Sequence, residues 1–212
     1  MRTVVFDLDG TLADTSADLL AAANGCFGQT VLGPEDALTA FQGARAMLRL
    51  GYARLGVEGE IEQDFLRFLA IYRQGICVQT QLYPGAATAV AALRRAGFAT
   101  AICTNKPEAL AVELVRRLGI AGLFGALVGA DTLPVRKPDP APYRLAVQRV
   151  GGSRSMLVGD TDTDRQTGRA AGVPVALVTF GPEGAGVARL QPEALLDHFD
   201  ALPELADRLL PI

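Results

Sequence analysis

Asp7 and Asp9 close an apolar run, Val4-Val5-Phe6, and are followed at once by Gly10 and Thr11. Apolar residues of β-branched or aromatic type leading into carboxylates spaced i, i+2 read as a buried strand that ends in a polar loop. In an extended chain alternate side chains share a face, so Asp7 and Asp9 point the same way with Leu8 opposed. Two carboxylates held that close can hardly both stay ionised in a half-buried site unless a cation neutralises them or one keeps its proton. The spacing therefore implies a divalent metal and an acid/base role. A plain Asp-x-Asp-Gly turn would have the same composition, so the weight of the pair depends on what accompanies it.

Three more polar clusters do so: Thr104-Asn105-Lys106, Arg136-Lys137-Pro138 and Gly159-Asp160-Thr161-Asp162-Thr163-Asp164. The chain has eighteen arginines but only two lysines, Lys106 and Lys137. Where arginine is the default cation, a surviving lysine is one whose compact point charge is needed. Lys137 fits that reading; Lys106 is left open between the site and a place facing solvent or the helical block. Asp162 reads as an acid facing a helix N-terminus. The sole histidine, His198, lies in the tail far from every cluster, which removes phosphohistidine chemistry and a serine triad. Gly151-Gly152 reads as a helix-ending turn, since no Gly-x-Gly-x-x-Gly follows a strand.

The elements that must position these clusters alternate. Thr15 or Ser16 can start a helix carrying Leu19, Leu20, Ala23 and Phe27 to Gly28, and helical spacing continues over 44–55 and 60–74 with no convincing strand between 16 and 80. From Tyr83-Pro84-Gly85 the texture becomes helix 86–96, strand 98–103, helix 108–118, strand 127–128, a helix from 137–140 to about 150, strand 156–158, helix 162–171 and strand 175–180. The tail, 192–210, is expected to be one or two amphipathic helices. The fold class is α/β: a Rossmann-like doubly wound parallel sheet over 1–14 and 82–212, interrupted by an all-helical block over 15–81. In open parallel sheets ligands bind beyond the carboxyl ends of the strands, and all four clusters stand there.

At 212 residues, half of them hydrophobic and a fifth charged, the chain can bury a sizeable core. A net charge of -3 suggests no electrostatic pull toward nucleic acid or an anionic membrane. The apolar run before Asp7 is too short for a signal peptide, and no stretch is long enough to span a membrane, so a cytoplasmic protein is expected. Cys26, Cys77 and Cys103 are odd in number and scattered, which suggests buried free thiols rather than a zinc site or disulfides.

In this order and at these strand ends, the four clusters resemble the motifs of the haloacid dehalogenase superfamily of phosphohydrolases. The resemblance covers essentially the whole chain, with 15–81 standing where that family carries a small helical cap. It implies that Asp7 attacks phosphorus and becomes an aspartyl phosphate, while Asp9 protonates the leaving alcohol and then takes a proton from water. It also implies that Asp160, the Asp7 carboxylate and the Asp9 main-chain carbonyl hold Mg²⁺, with Asp164 orienting a metal water or the lysine. Thr104 and the Asn105 amide are expected to bond phosphoryl oxygens at a helix N-terminus, with Gly10 and Thr11 also among the substrate-binding residues. Lys137 is expected to pair with Asp7 and the transferring group.

The resemblance leaves the reaction open. An acid at Asp9 argues against a dehalogenase, and the lack of any lysine in 16–80 removes a Schiff-base phosphonate hydrolase. A phosphatase, a β-phosphoglucomutase-like mutase and a catalytically idle phospholigand- or protein-binding member remain. The short cap and Asp14-Thr15 look most like the phosphoglycolate phosphatase branch, although Thr161 and Thr163 stand where that branch often has serine and asparagine. Arg45 and Arg49, one helical turn apart, could present charge to a substrate's carboxylate or second phosphate; Arg45 is the candidate. The expected partner is a small phosphorylated metabolite, with neither nucleic acid nor membrane, and the protein is expected to be a monomer or homodimer.

Overall fold

The computed structural model describes residues 1–211. It divides into two compact units, Met1–Ala13 with Leu82–Ile212, and Asp14–Gln81. The chain runs β1 (Thr3–Phe6), β2 (Ala13–Asp14), α1 (Ser16–Phe27), α2 (Ala37–Phe41), α3 (Ala44–Leu55), α4 (Ile61–Gln74), β3 (Gln81–Leu82), α5 (Ala86–Arg95), β4 (Ala99–Cys103), α6 (Glu108–Arg117), β5 (Ala126–Val128), α7 (Pro140–Arg149), β6 (Ser155–Gly159), α8 (Asp162–Ala171), β7 (Val175–Val178), β8 (Ala194–Leu196) and α9 (Leu202–Leu209). Among the described residues no helix is long and apolar enough to cross a membrane.

The first unit is built on a six-stranded parallel sheet in the order β5-β4-β1-β6-β7-β8. From β1 the chain winds outward through β4 to β5, then crosses back to β6 and winds the other way. The reversal lies beside β1, where open α/β sheets leave a crevice at their carboxyl ends. Phe6 pairs in register with Ile102 of β4 and Val158 of β6, so the segments after these three strands emerge side by side. Every residue of β1, β6 and β7 is buried, as a parallel sheet covered on both faces requires. Below the site, Val5, Ala101, Cys103, Leu157 and Leu177 pack with Tyr143 and Ala146 of α7.

Glycine punctuation explains why so many boundaries follow from sequence. α1, α3 and α8 each end on a left-handed glycine, Gly28, Gly56 and Gly172. The tail differs from expectation: residues 194–196 form β8, which pairs with β7 through Ala176–Ala194 and Val178–Leu196, before a short helical turn and α9. Ala-Leu-Leu is too short for its period to separate strand from helix, so pairing with β7 decides it.

The second unit packs α1 against α3 and α4 around Leu20, Ala23, Met47, Leu48, Phe68 and Tyr72. Gly51 lets α3 approach α1, since a Cβ there would lie 2.1 Å from the Phe27 ring. The buried carboxylate of Asp18 accepts the backbone N–H groups of Val78, Gln79 and Thr80 and the Thr80 hydroxyl, at 2.7–3.1 Å. This single side chain ties the segment leaving the unit to its first helix. None of the three cysteines is in a disulfide. Cys26 and Cys103 are buried as expected, whereas Cys77 is only half-buried, because it lies in the turn after α4 rather than on a packed face.

Candidate active site

β1 stops at Phe6, and a tight loop follows in which Leu12 N–H donates to Leu8 O and Gly10 N–H to Ala13 O. Gly10 makes the turn possible by adopting φ 79°. The fully buried Leu8 side chain anchors the loop, and Asp7 N–H donates to Val158 O at 2.9 Å, continuing the ladder with β6. The nucleophile candidate thus sits on a rigid strand end rather than in a mobile loop.

The Asp7 carboxylate oxygen Oδ1 accepts from Leu8 N–H at 2.7 Å and lies 3.1 Å from Lys137 Nζ. Lys137 Nζ also donates to Asp164 Oδ1 at 2.7 Å. Burial works against the charge on Lys137, but Asp164 and Asp7 outweigh it and hold the ammonium protonated above its ordinary range. For Asp7, burial with the neighbouring Asp164 and Asp9 outweighs Lys137 and pushes the carboxyl up to about 6.

Asp164 acts as a hub. Its other oxygen, Oδ2, accepts from Asp160 N–H, Thr161 N–H and the Thr161 hydroxyl, the last at 2.8 Å. The Thr161–Asp164 pair is also the capping box that starts α8, so one carboxylate begins the helix and orients the lysine. Gly159 makes room for it: a Cβ there would lie 2.4 Å from Asp164 Cβ and Cγ.

Asp160 is fully buried after β6, and its Oδ1 accepts from the Thr11 hydroxyl at 2.7 Å. Its Oδ2 has no hydrogen-bond partner among the described residues. Burial, reinforced by Asp164 and Asp7, drives the Asp160 carboxyl well above its ordinary value. A buried carboxylate oxygen without a donor is costly unless a cation meets it. Oxygens of Asp7, Asp160 and Asp164 lie within 4.8 Å of one another, so this cluster fits a hard divalent cation. Since both Asp164 oxygens are already engaged, Asp7 and Asp160 are the side chains suited to hold it.

The other expected residues divide. Thr104, at the end of β4, is buried; its hydroxyl oxygen accepts from Lys106 N–H at 3.2 Å and its hydrogen remains for an acceptor. α6 begins only at Glu108, so the Thr104–Lys106 loop precedes the helix instead of forming its N-terminus. Asn105 turns its side chain to Lys137 O at 3.0 Å, steadying the lysine's backbone. The Thr11 hydroxyl is spent on Asp160, while Gly10 O lies against Gly181, where a Cβ would approach to 2.8 Å. Asp162 is exposed at the start of α8. Arg45 belongs to the helical unit, where its guanidinium is paired with Glu62 at 2.6 and 2.8 Å and stacked on Phe65.

Lys106, which in sequence could face either the site or solvent and the helical block, is buried with Nζ 2.8 and 3.0 Å from the two carboxylate oxygens of Asp9. The scarcity of lysine that singled out Lys137 applied equally to Lys106. Gly159 was legible only as the start of the fourth cluster and Gly181 not at all, because their role is the space they leave for neighbouring groups in the fold.

Comparisons with known proteins agree on one family. A family model described as haloacid dehalogenase-like hydrolase matches residues 1–172. The chain is 39% identical over 218 residues to a phosphoglycolate phosphatase of Mesorhizobium japonicum, covering 98% of this chain and 96% of that protein. It is 38% identical over 216 residues to one of Agrobacterium fabrum, covering 97% and 93%. A crystal structure described as a predicted phosphoglycolate phosphatase from Haemophilus somnus 129PT superposes with a TM-score of 0.84 at 25% identity, covering 96% of each chain.

Proposed function

Because the chain belongs to the haloacid dehalogenase-like hydrolases and is a phosphatase of that superfamily, we propose that it hydrolyses a small phosphomonoester, 2-phosphoglycolate, with Mg²⁺ and through a phosphoenzyme on Asp7. The observation that carries the chemistry is the pair formed by Asp7 on its lysine and Asp160 with an unpartnered buried oxygen beside it. The substrate rests on relatives of that name matching over nearly full length.

In this reading an Asp7 oxygen attacks phosphorus and the bond from phosphorus to the ester oxygen breaks. Asp9 gives its proton to the departing alkoxide. Asp9 then takes a proton from water as that water attacks the aspartyl phosphate, releasing inorganic phosphate and restoring Asp7. Lys137 supplies positive charge beside both displacements, and the Thr104 hydroxyl with the Asn105 amide bonds the phosphoryl oxygens. Asp164 keeps Lys137 and the Asp160 backbone in place. Asp7, the Asp9 carbonyl and Asp160 would hold Mg²⁺, which would supply positive charge beside the nucleophile and the phosphate. Arg45 adds affinity for the anionic leaving portion, and an Arg45→Ala variant with unchanged kinetics would remove it from the site.

The test is phosphate release from 2-phosphoglycolate beside sugar phosphates, nucleotides and pyrophosphate, with Mg²⁺ and with chelator. A marked preference for 2-phosphoglycolate that needs Mg²⁺ and vanishes in Asp7→Asn is expected. Conversion of β-glucose 1-phosphate alone, without net phosphate release, would refute the hydrolase reading in favour of a mutase.

A further inference from the structure

Lys106 is buried with its ammonium on both carboxylate oxygens of Asp9, at 2.8 and 3.0 Å. The chain's other lysine is engaged by Asp7 and Asp164. The two lysines therefore divide the two acids of the first loop: one serves the attacking carboxylate, the other the acid/base. In a chain with eighteen arginines, both places keep an ammonium, which can change partners by a small shift of one atom, rather than a planar fork.

To act on an ester, Asp9 must bring an oxygen within hydrogen-bonding distance of the bridging oxygen. In the structure both of its oxygens face Lys106. Turning one toward the ester weakens that pairing, and a buried ammonium that loses an anionic partner is costly. A leaving group with its own carboxylate removes this cost. In 2-phosphoglycolate a single methylene separates the ester oxygen from the carboxylate carbon, so an ester oxygen next to Asp9 brings a second anion next to Lys106.

We propose that Lys106 is the specificity-determining residue for the leaving group: it holds Asp9 aside in the resting enzyme and moves its ammonium onto the substrate's carboxylate, turning Asp9 toward the ester oxygen. Lys106 stays an ammonium throughout and no bond forms or breaks at it; Asp9, relieved of its cation, takes up a proton from solvent water and hands that proton to the leaving alkoxide. An uncharged leaving group leaves Lys106 on Asp9 and is turned over poorly. The proposal rests on the phosphomonoesterase reading of the site, with Asp9 as its acid and base.

The experiment compares kcat/KM for 2-phosphoglycolate with that for 2-hydroxyethyl phosphate, which has an uncharged hydroxymethyl group where the first has its carboxylate. Wild type, Lys106→Met and Lys106→Arg are measured with Mg²⁺. The ratio of the two values in one preparation does not depend on how much of it is folded, so a variant that folds poorly still reports. Wild type is expected to favour 2-phosphoglycolate, and Lys106→Met to lower the ratio about 10- to 100-fold, the size of a lost charge-assisted hydrogen bond. The loss falls on both kcat and KM for 2-phosphoglycolate, and Lys106→Arg restores part of it. A wild type that prefers 2-phosphoglycolate and a Lys106→Met variant with the same ratio would overturn the Lys106 proposal alone. A wild type that hydrolyses both esters equally overturns it together with the assigned substrate, while the phosphatase chemistry stands.

Discussion

Gly159→Ala should disable the site without touching any group that does chemistry. The added Cβ would lie 2.4 Å from Asp164 Cβ and Cγ and 2.6 Å from its Oδ2, where ordinary contact needs at least 3.4 Å. Asp164 is fully buried, so it can gain the missing distance of about 1 Å only by leaving its partners. Those partners are Lys137, Asp160 N–H and the Thr161 N–H and hydroxyl. Overpacking costs about 1–3 kcal/mol, and weakening several bonds to a buried carboxylate adds a similar amount. A loss of about 3–5 kcal/mol lowers the melting midpoint of a chain this size by roughly 6–20 °C. Misplacing Lys137 and Asp160 by about 1 Å should lower kcat on the order of a hundredfold. Thermal unfolding and Mg²⁺-dependent phosphate release measure the two effects separately, with Gly122→Ala, whose Cβ meets nothing within 4 Å, as control. A Gly159→Ala variant that melts within about 2 °C of wild type and keeps kcat within threefold would refute the assignment of Asp164 as hub.

Asp18→Ala strips the acceptor from three backbone N–H groups and a hydroxyl, so it should destabilise the protein by about 2–4 kcal/mol in urea unfolding; a change under about 0.5 kcal/mol would show that this tie carries no weight. Burial with Asp164 and Asp9 against Lys137 raises Asp7 from 3.8 to about 6, so its contribution to stability is full below pH 3.8 and lost as pH rises through about 6, about 3 kcal/mol in all. A divalent cation competes with that proton, so the apparent Mg²⁺ affinity, read by calorimetry, should rise by up to about tenfold per pH unit below about 6 on account of Asp7, and Asp160, raised in the same direction, steepens the rise. Equal affinities at pH 5 and pH 7 would count against Asp7 and Asp160 as ligands. Lys137→Met leaves Asp164 and Asp7 without their shared cation and should cost about 3–5 kcal/mol along with turnover; a variant of wild-type stability would contradict the buried pairing.

Much of this was legible in the chain, for local reasons. Glycine stops at Gly28 and Gly172 marked the ends of α1 and α8, because a left-handed turn is a property of a few neighbouring residues, and helical spacing marked α3. Alternating strands and helices after residue 82 specified a parallel sheet, and parallel sheets gather their polar ends on one edge, which is why four clusters spread over more than 150 residues could be read as one site. β8 was missed because three apolar residues take their conformation from the strand beside them.

The residue types, their order and their strand-end positions, and with them a set of carboxylates and a lysine fit to hold a divalent cation, belong to the sequence alone. Tertiary structure decided the pairings: Lys137 between Asp7 and Asp164, Lys106 on Asp9, Thr11 on Asp160 rather than open to a ligand, and the gaps at Gly159 and Gly181 that let these groups meet. The physical reason is range. Backbone conformation answers to neighbours a few residues away, whereas a buried charge takes whichever partner the packing brings within about 3 Å, and that partner lies up to 149 residues along the chain.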